Sequence, residues 1–144
     1  MKRIYAWEPW FFLFFGVFHL HRIWALADRA GYAAFWLGIL ESKGALYFLL
    51  MGVLALCCVA GMVTLLRNRG RNIWWRWIYL GGGGYLLFDL VAIAVGLRAW
   101  HELLRWMFDV QNPWWNVVWG GFILLGAFVF GLGLRLLHQR SHQN

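Results

Sequence analysis

Apolar residues in this chain come in long runs rather than in alternation. Four runs, at about 9–27, 45–66, 77–97 and 114–134, each reach the roughly 20 residues that a helix needs to cross a bilayer core of about 30 Å. The second and fourth contain no Asp, Glu, Lys or Arg. Pro9 suits the first turn of a helix, where its missing N–H is no loss. Tryptophans flank the runs: Trp7, Trp10, Trp74, Trp75 and Trp77 on one side, Trp24, Trp36, Trp100, Trp106, Trp114 and Trp115 on the other. They read as interfacial belts, because an indole keeps its N–H near water while its ring lies in the acyl boundary. The pattern predicts an all-α integral membrane protein of four transmembrane helices.

Between the runs the period changes. Tyr32, Phe35, Trp36, Ile39 and Leu40 follow helical spacing, and so do Trp100, Leu103, Leu104, Met107 and Phe108, with His101, Glu102, Arg105 and Asp109 on the polar side of the second set. Each is the stripe of a short amphipathic helix lying at the outer membrane surface. The alternative is an extension of the preceding span followed by a turn. A shift of 68 residues superposes these two stripes, and also Arg3 on Arg71, Trp7 on Trp75, Gly16 on Gly84, Gly52 on Gly120 and Arg67 on Arg135. This suggests a 2+2 tandem repeat of units 1–68 and 69–136 within one four-helix domain, closed by a short cytoplasmic tail at 135–144.

Composition agrees. Of 144 residues 62% are hydrophobic and only 13% charged, against about a quarter charged in soluble domains. A soluble monomer, a disordered chain, a collagen-like fibre and a disulfide-stapled domain are all excluded. The net charge of +7 would point to nucleic acid in a soluble protein, but its placement points elsewhere. Lys2, Arg3, Arg67, Arg69, Arg71, Arg76, Arg135 and Arg140 lie where four spans return to one side. The positive-inside rule then puts both termini in the cytoplasm of a bacterial plasma membrane, with no nucleic-acid partner. The opening Lys2 and Arg3, an apolar core and Ala25, Leu26 and Ala27 mimic a cleaved signal peptide, yet His19, His21 and Arg22 interrupt the core, and retention as the first span is the better reading.

Candidate chemistry is sparse. Asp89 sits mid-span, where a carboxylate costs about 2.5–3.5 kcal/mol to insert. Its helical face carries Gly82, Tyr85, Ala92 and Gly96, small residues and a phenol that suit the bundle interior. Partners are expected from the first span, where His19 and Arg22 share a face and His21 points elsewhere. Asp89, Arg22, His19, His21 and Tyr85 together form the candidate ligand site in the outer half of the bundle, with a buried ionic tie between spans one and three as the structural alternative. Cys57 and Cys58 read as two small buried hydrophobes, a vicinal thiol metal carrier being the sharper alternative. Cys57 with Gly61, and Ala127 with Gly131, are small pairs four apart that mark helix contacts. The histidines are badly placed for haem, and His138 with His142 form only a two-ligand metal motif in a tail expected to fray. No cofactor, metal or catalytic residue is expected, since serine-hydrolase, zinc-protease and phosphate-loop motifs are all missing from the sequence.

The reading that results is a carrier, channel or binding protein for an amphiphilic or ionic ligand, surrounded by lipid and forming a homo-oligomer. The alternative is an accessory subunit of a larger membrane complex. A membrane enzyme acting on lipid through His101, Glu102 or Asp89 is the weakest of the three.

Overall fold

The structure is a computed structural model that describes residues 4–68, 70 and 73–142. Among these the chain is helical and contains no strand. The helices are α1 (Glu8–Leu20), α2 (Ile23–Ala27), α3 (Arg29–Ser42), α4 (Ala45–Arg67), α5 (Trp77–Ala94), α6 (Arg98–Phe108) and α7 (Trp115–Ser141), with a single 3-10 turn at Trp74–Arg76 leading into α5. Four segments are long and apolar enough to cross a membrane: Glu8–Ala27, Ala45–Arg67, Trp74–Ala94 and Trp115–Ser141. The order is span, short helix, span, twice over. Arg69 and Arg71 of the central basic cluster, with Lys2 and Arg3, lie outside the described residues.

The boundaries have local causes. Asp28 breaks the chain between α2 and α3 with extended backbone, and its Oδ1 accepts the Gly31 N–H at 2.9 Å, an N-cap that satisfies one of the free donors of the new helix. The C-terminus of α5 closes on Gly96 (φ +72°): the Leu97 N–H reaches the Ala92 carbonyl at 2.9 Å and the Gly96 N–H reaches Ile93 at 3.3 Å. This is a Schellman closure, which needs the left-handed conformation that glycine adopts without penalty. The two short helices are therefore separate elements and not extensions of the preceding spans. In α6 the predicted stripe is half-buried or buried, while His101, Glu102, Arg105 and Asp109 are exposed. The α7 helix runs through the segment expected to be a frayed tail, as far as Ser141.

The described residues divide into two compact units. One contains the residues up to Trp36 and those from Met107 onward, and the other is Leu37–Trp106. In the first unit α1 lies antiparallel along α7. Its register is marked by ideal Cβ positions that would collide: from Gly133 with the Leu13 N at 2.9 Å, from Gly16 with the Phe130 Cα at 2.7 Å, and from Gly126 with the His19 Cβ at 2.7 Å. Real Cβ atoms do not come this close, so only glycine permits the approach. Small residues are the usual means by which apolar helices bring their backbones together. In the second unit α4 packs antiparallel on α5. There an added Cβ on Gly61 would lie 2.8 Å from the Tyr79 ring, while Gly83 faces Cys58 at 3.8 Å.

Two sequence expectations change here. On α7 the contact glycines are Gly126 and Gly133, since Gly131 faces open space; three-to-four spacing alone does not say which side of a helix meets its neighbour. Trp75 and Trp115, placed in the interfacial belts by sequence, are 3% and 0% exposed. The indole N–H of Trp115 donates to the Ala25 carbonyl at 2.7 Å, an acceptor left free because α2 ends two residues later.

Replacing Gly16 or Gly126 by Ala should lower thermal stability in detergent by about 1–3 kcal/mol through overpacking. Gly131→Ala, which meets no neighbour, should leave stability unchanged or slightly raised. Melting curves of the three variants check both signs.

Candidate functional site

The first span is interrupted where its polar residues begin. In an unbroken helix the Phe18 carbonyl would accept the Arg22 N–H. Instead Arg22 N bonds His19 O at 3.2 Å, and the Phe18 carbonyl is taken by two side chains, His21 Nδ1 and Arg22 Nη1, the latter at 3.2 Å. Side chains that enter the backbone ladder in this way bend or break helices. The following bonds are also of the tighter three-residue type: Trp24 N to His21 O at 3.0 Å and Ala25 N to Arg22 O at 2.9 Å. The same residues that make the chemistry interesting thus split the span into α1 and α2.

Around the break lies an aromatic cluster drawn from α1, α2, α3, α7 and Phe108 at the end of α6. Tyr32 is its centre, 1% exposed, with ring centroids of Trp119 at 5.0 Å, Trp24 at 5.7 Å, His21 at 5.9 Å, Phe108 at 6.0 Å and Trp36 at 6.3 Å. The Arg22 guanidinium carbon lies 4.8 Å from the Phe122 ring centre and 5.1 Å from that of Phe18, and the guanidinium is near enough to the Tyr32 phenol to act on it electrostatically. Cation–π contact of this kind helps to hold a guanidinium in apolar surroundings. Burial pushes the Tyr32 phenol up to about 12, with Arg22 opposing the shift.

Several nitrogen atoms in this cluster are buried without a hydrogen-bond partner among the described residues: His21 Nε2, Trp36 Nε1 and Trp119 Nε1. A buried polar atom left unpaired costs about 1–3 kcal/mol. Because His21 Nδ1 faces a carbonyl, a neutral ring carries its proton there and offers Nε2 as an acceptor. The cluster therefore presents two indole donors and an imidazole acceptor beside a guanidinium.

Of the residues singled out from sequence, His19, His21 and Arg22 come together here. Asp89 and Tyr85 belong to the other compact unit. There Asp89 is half-buried and accepts the Trp100 indole N–H at 2.5 Å, so α6, and not only the first span, offers it a partner. Tyr85 is 53% exposed, with its ring 6.2 Å from Trp100, and Phe88 lies 5.1 Å from the same indole.

Sequence reasoning missed other polar positions. Glu8 and Arg76 are 0% and 1% exposed. The Tyr5 N–H donates to Glu8 Oε2 at 2.8 Å, and the Arg76 guanidinium lies 5.2 Å from the Trp75 ring. Asn112 is 3% exposed, and its Oδ1 fixes the turn into α7 by accepting from Trp114 N at 2.9 Å. Arg29 fastens the same turn to α3, donating to Val110 O at 3.4 Å and to Asn116 Oδ1 at 2.9 Å. Tyr32 and Trp119 were also missed as site residues. The signal available was the position of Trp119 inside the body of the fourth run, away from either belt.

The chain is thus a helical protein with four membrane-length helices and a polar, aromatic-walled cluster at the break in the first. The chain matches no known protein family, and neither a characterised protein nor a solved structure is detectably similar to it.

Two outcomes follow. Because the Tyr32 phenol ionises near 12 in the folded chain against about 10 when unfolded, its contribution is intact below pH 10 and is lost as pH rises toward 12. Chemical-denaturation curves should show this alkaline loss, and Tyr32→Phe should flatten it. Trp100→Phe removes an indole donor from Asp89 and should destabilise by about 1–3 kcal/mol, whereas Asp89→Asn, which keeps an acceptor oxygen, should cost less.

Proposed function

We propose that this protein is a small membrane-embedded binding or carrier protein for an amphiphile whose polar head carries acceptor oxygens, such as an acid. One observation carries the reading: His21 Nε2, Trp36 Nε1 and Trp119 Nε1 are buried and unpaired in one aromatic cluster beside the Arg22 guanidinium. Unsatisfied buried groups call for a ligand or ordered water, and intramembrane ionisable residues mark functional sites by default. In this assignment Arg22 and the two indoles donate to the head, His21 accepts its proton when one is present, and the Phe18, Phe122 and Tyr32 rings wall the first part of the chain. Asp89, in the other compact unit, holds α6 to α5 through Trp100.

Charge placement sets the orientation in the same proposal. Lys2, Arg3, the cluster from Arg67 to Arg76, Arg135 and Arg140 face the cytoplasm of a bacterial plasma membrane, and the cluster lies in the outer half.

Native mass spectrometry of the detergent-solubilised protein tests the reading. A defined small mass is expected to be retained by the wild type and by Asp89→Asn, and to fall at least tenfold in occupancy in Arg22→Gln and in the double variant Trp36→Phe/Trp119→Phe. Retention unchanged in both of those would overturn the site, and a stoichiometric foreign chain in place of a small molecule would favour the accessory-subunit reading.

A further inference from the structure

The last turns of α7 hold a second cluster of nitrogen ligands, at the opposite end of that helix from the aromatic cluster. His138 and His142 stand four residues apart on one face, with Nε2 atoms 3.3 Å apart and ring planes crossed at 82°. A zinc ion binds imidazole nitrogen at about 2.0–2.1 Å, so two ligands of one tetrahedral ion sit about 3.3–3.4 Å from each other. The two Nε2 atoms, within hydrogen-bond distance of each other, already stand at the separation that such an ion requires. We propose that His138 and His142 form a surface site for a borderline divalent cation of the zinc type, with both Nε2 atoms as ligands and water completing the coordination.

The surroundings support it. The turn is held as helix: Leu136 is 1% exposed, and Ser141 Oγ donates to the His138 carbonyl at 2.6 Å. Arg140, the cation between the two histidines in sequence, turns its guanidinium away to the Ala6 carbonyl at 3.2 Å. The C-terminal end of a helix carries partial negative charge, which favours a cation within the last turn. Both imidazoles are exposed, so the ion displaces only water and whatever proton the two nitrogens share. Two protein ligands are fewer than a structural zinc site uses, so the binding is exchangeable.

The test is a titration of the untagged, chelator-treated full chain in detergent with zinc chloride, read by competition with a chromophoric chelator. One equivalent per chain is expected. His138→Ala and His142→Ala should each weaken binding at least tenfold, with unchanged helical circular dichroism, and His101→Ala should bind as the wild type does. The proposal is overturned if the wild type takes up no more zinc than the double variant His138→Ala/His142→Ala, or if both single variants bind as tightly as the wild type.

Discussion

The approach of α7 to α1 at Gly126 governs the first unit. Where both neighbours of a helix are apolar, burial of apolar surface gives little reason for two helices to associate, so close packing and complementary shape must supply it. Glycines at 16, 126 and 133 remove the side chains that would hold the backbones apart, and each added Cβ would collide. Dispersion then acts over the whole length of the seam. The register that these contacts fix also decides which side chains meet. Phe122, one turn before Gly126, faces His19 with ring centres 6.0 Å apart, and Trp119 closes on Tyr32. The aromatic cluster is thus a consequence of where three glycines fall.

The same seam accounts for the tolerance of a broken first span. His21 and Arg22 take over the Phe18 carbonyl, and the backbone tightens through the next turn. In an apolar medium every displaced backbone group needs another partner. The Trp115 indole provides one for Ala25, reaching across from α7 because the register has put it there. Break and repair come from two helices nearly a hundred residues apart in sequence, and neither is explicable alone.

Tryptophan recurs as the tie. Its ring fills apolar space and its single N–H seeks one acceptor. Trp115 uses the Ala25 carbonyl and Trp100 uses the Asp89 carboxylate, which makes the costly carboxylate in α5 an anchor for the following amphipathic helix. Trp36 and Trp119 have the same ring and the same donor but no acceptor among the described residues. That contrast between indoles that are satisfied and indoles that are not separates scaffold from candidate site.

Hydrophobic run length and period determine the helices, because both report a local fact: a membrane-length helix needs about twenty apolar residues, and a surface helix needs a stripe. The spans, the two short helices and the polar set His19, His21 and Arg22 were legible for that reason. Facing was not. Gly131 and Gly126 look alike in sequence, as do Trp114 and Trp115, yet one member of each pair is exposed and the other buried. In an apolar sequence, outward-facing and helix-facing positions have the same composition, so helical spacing carries no polarity signal to tell them apart. Only the packed register decides which glycine is a contact, which indole is core, and that Asp89 finds a partner on α6.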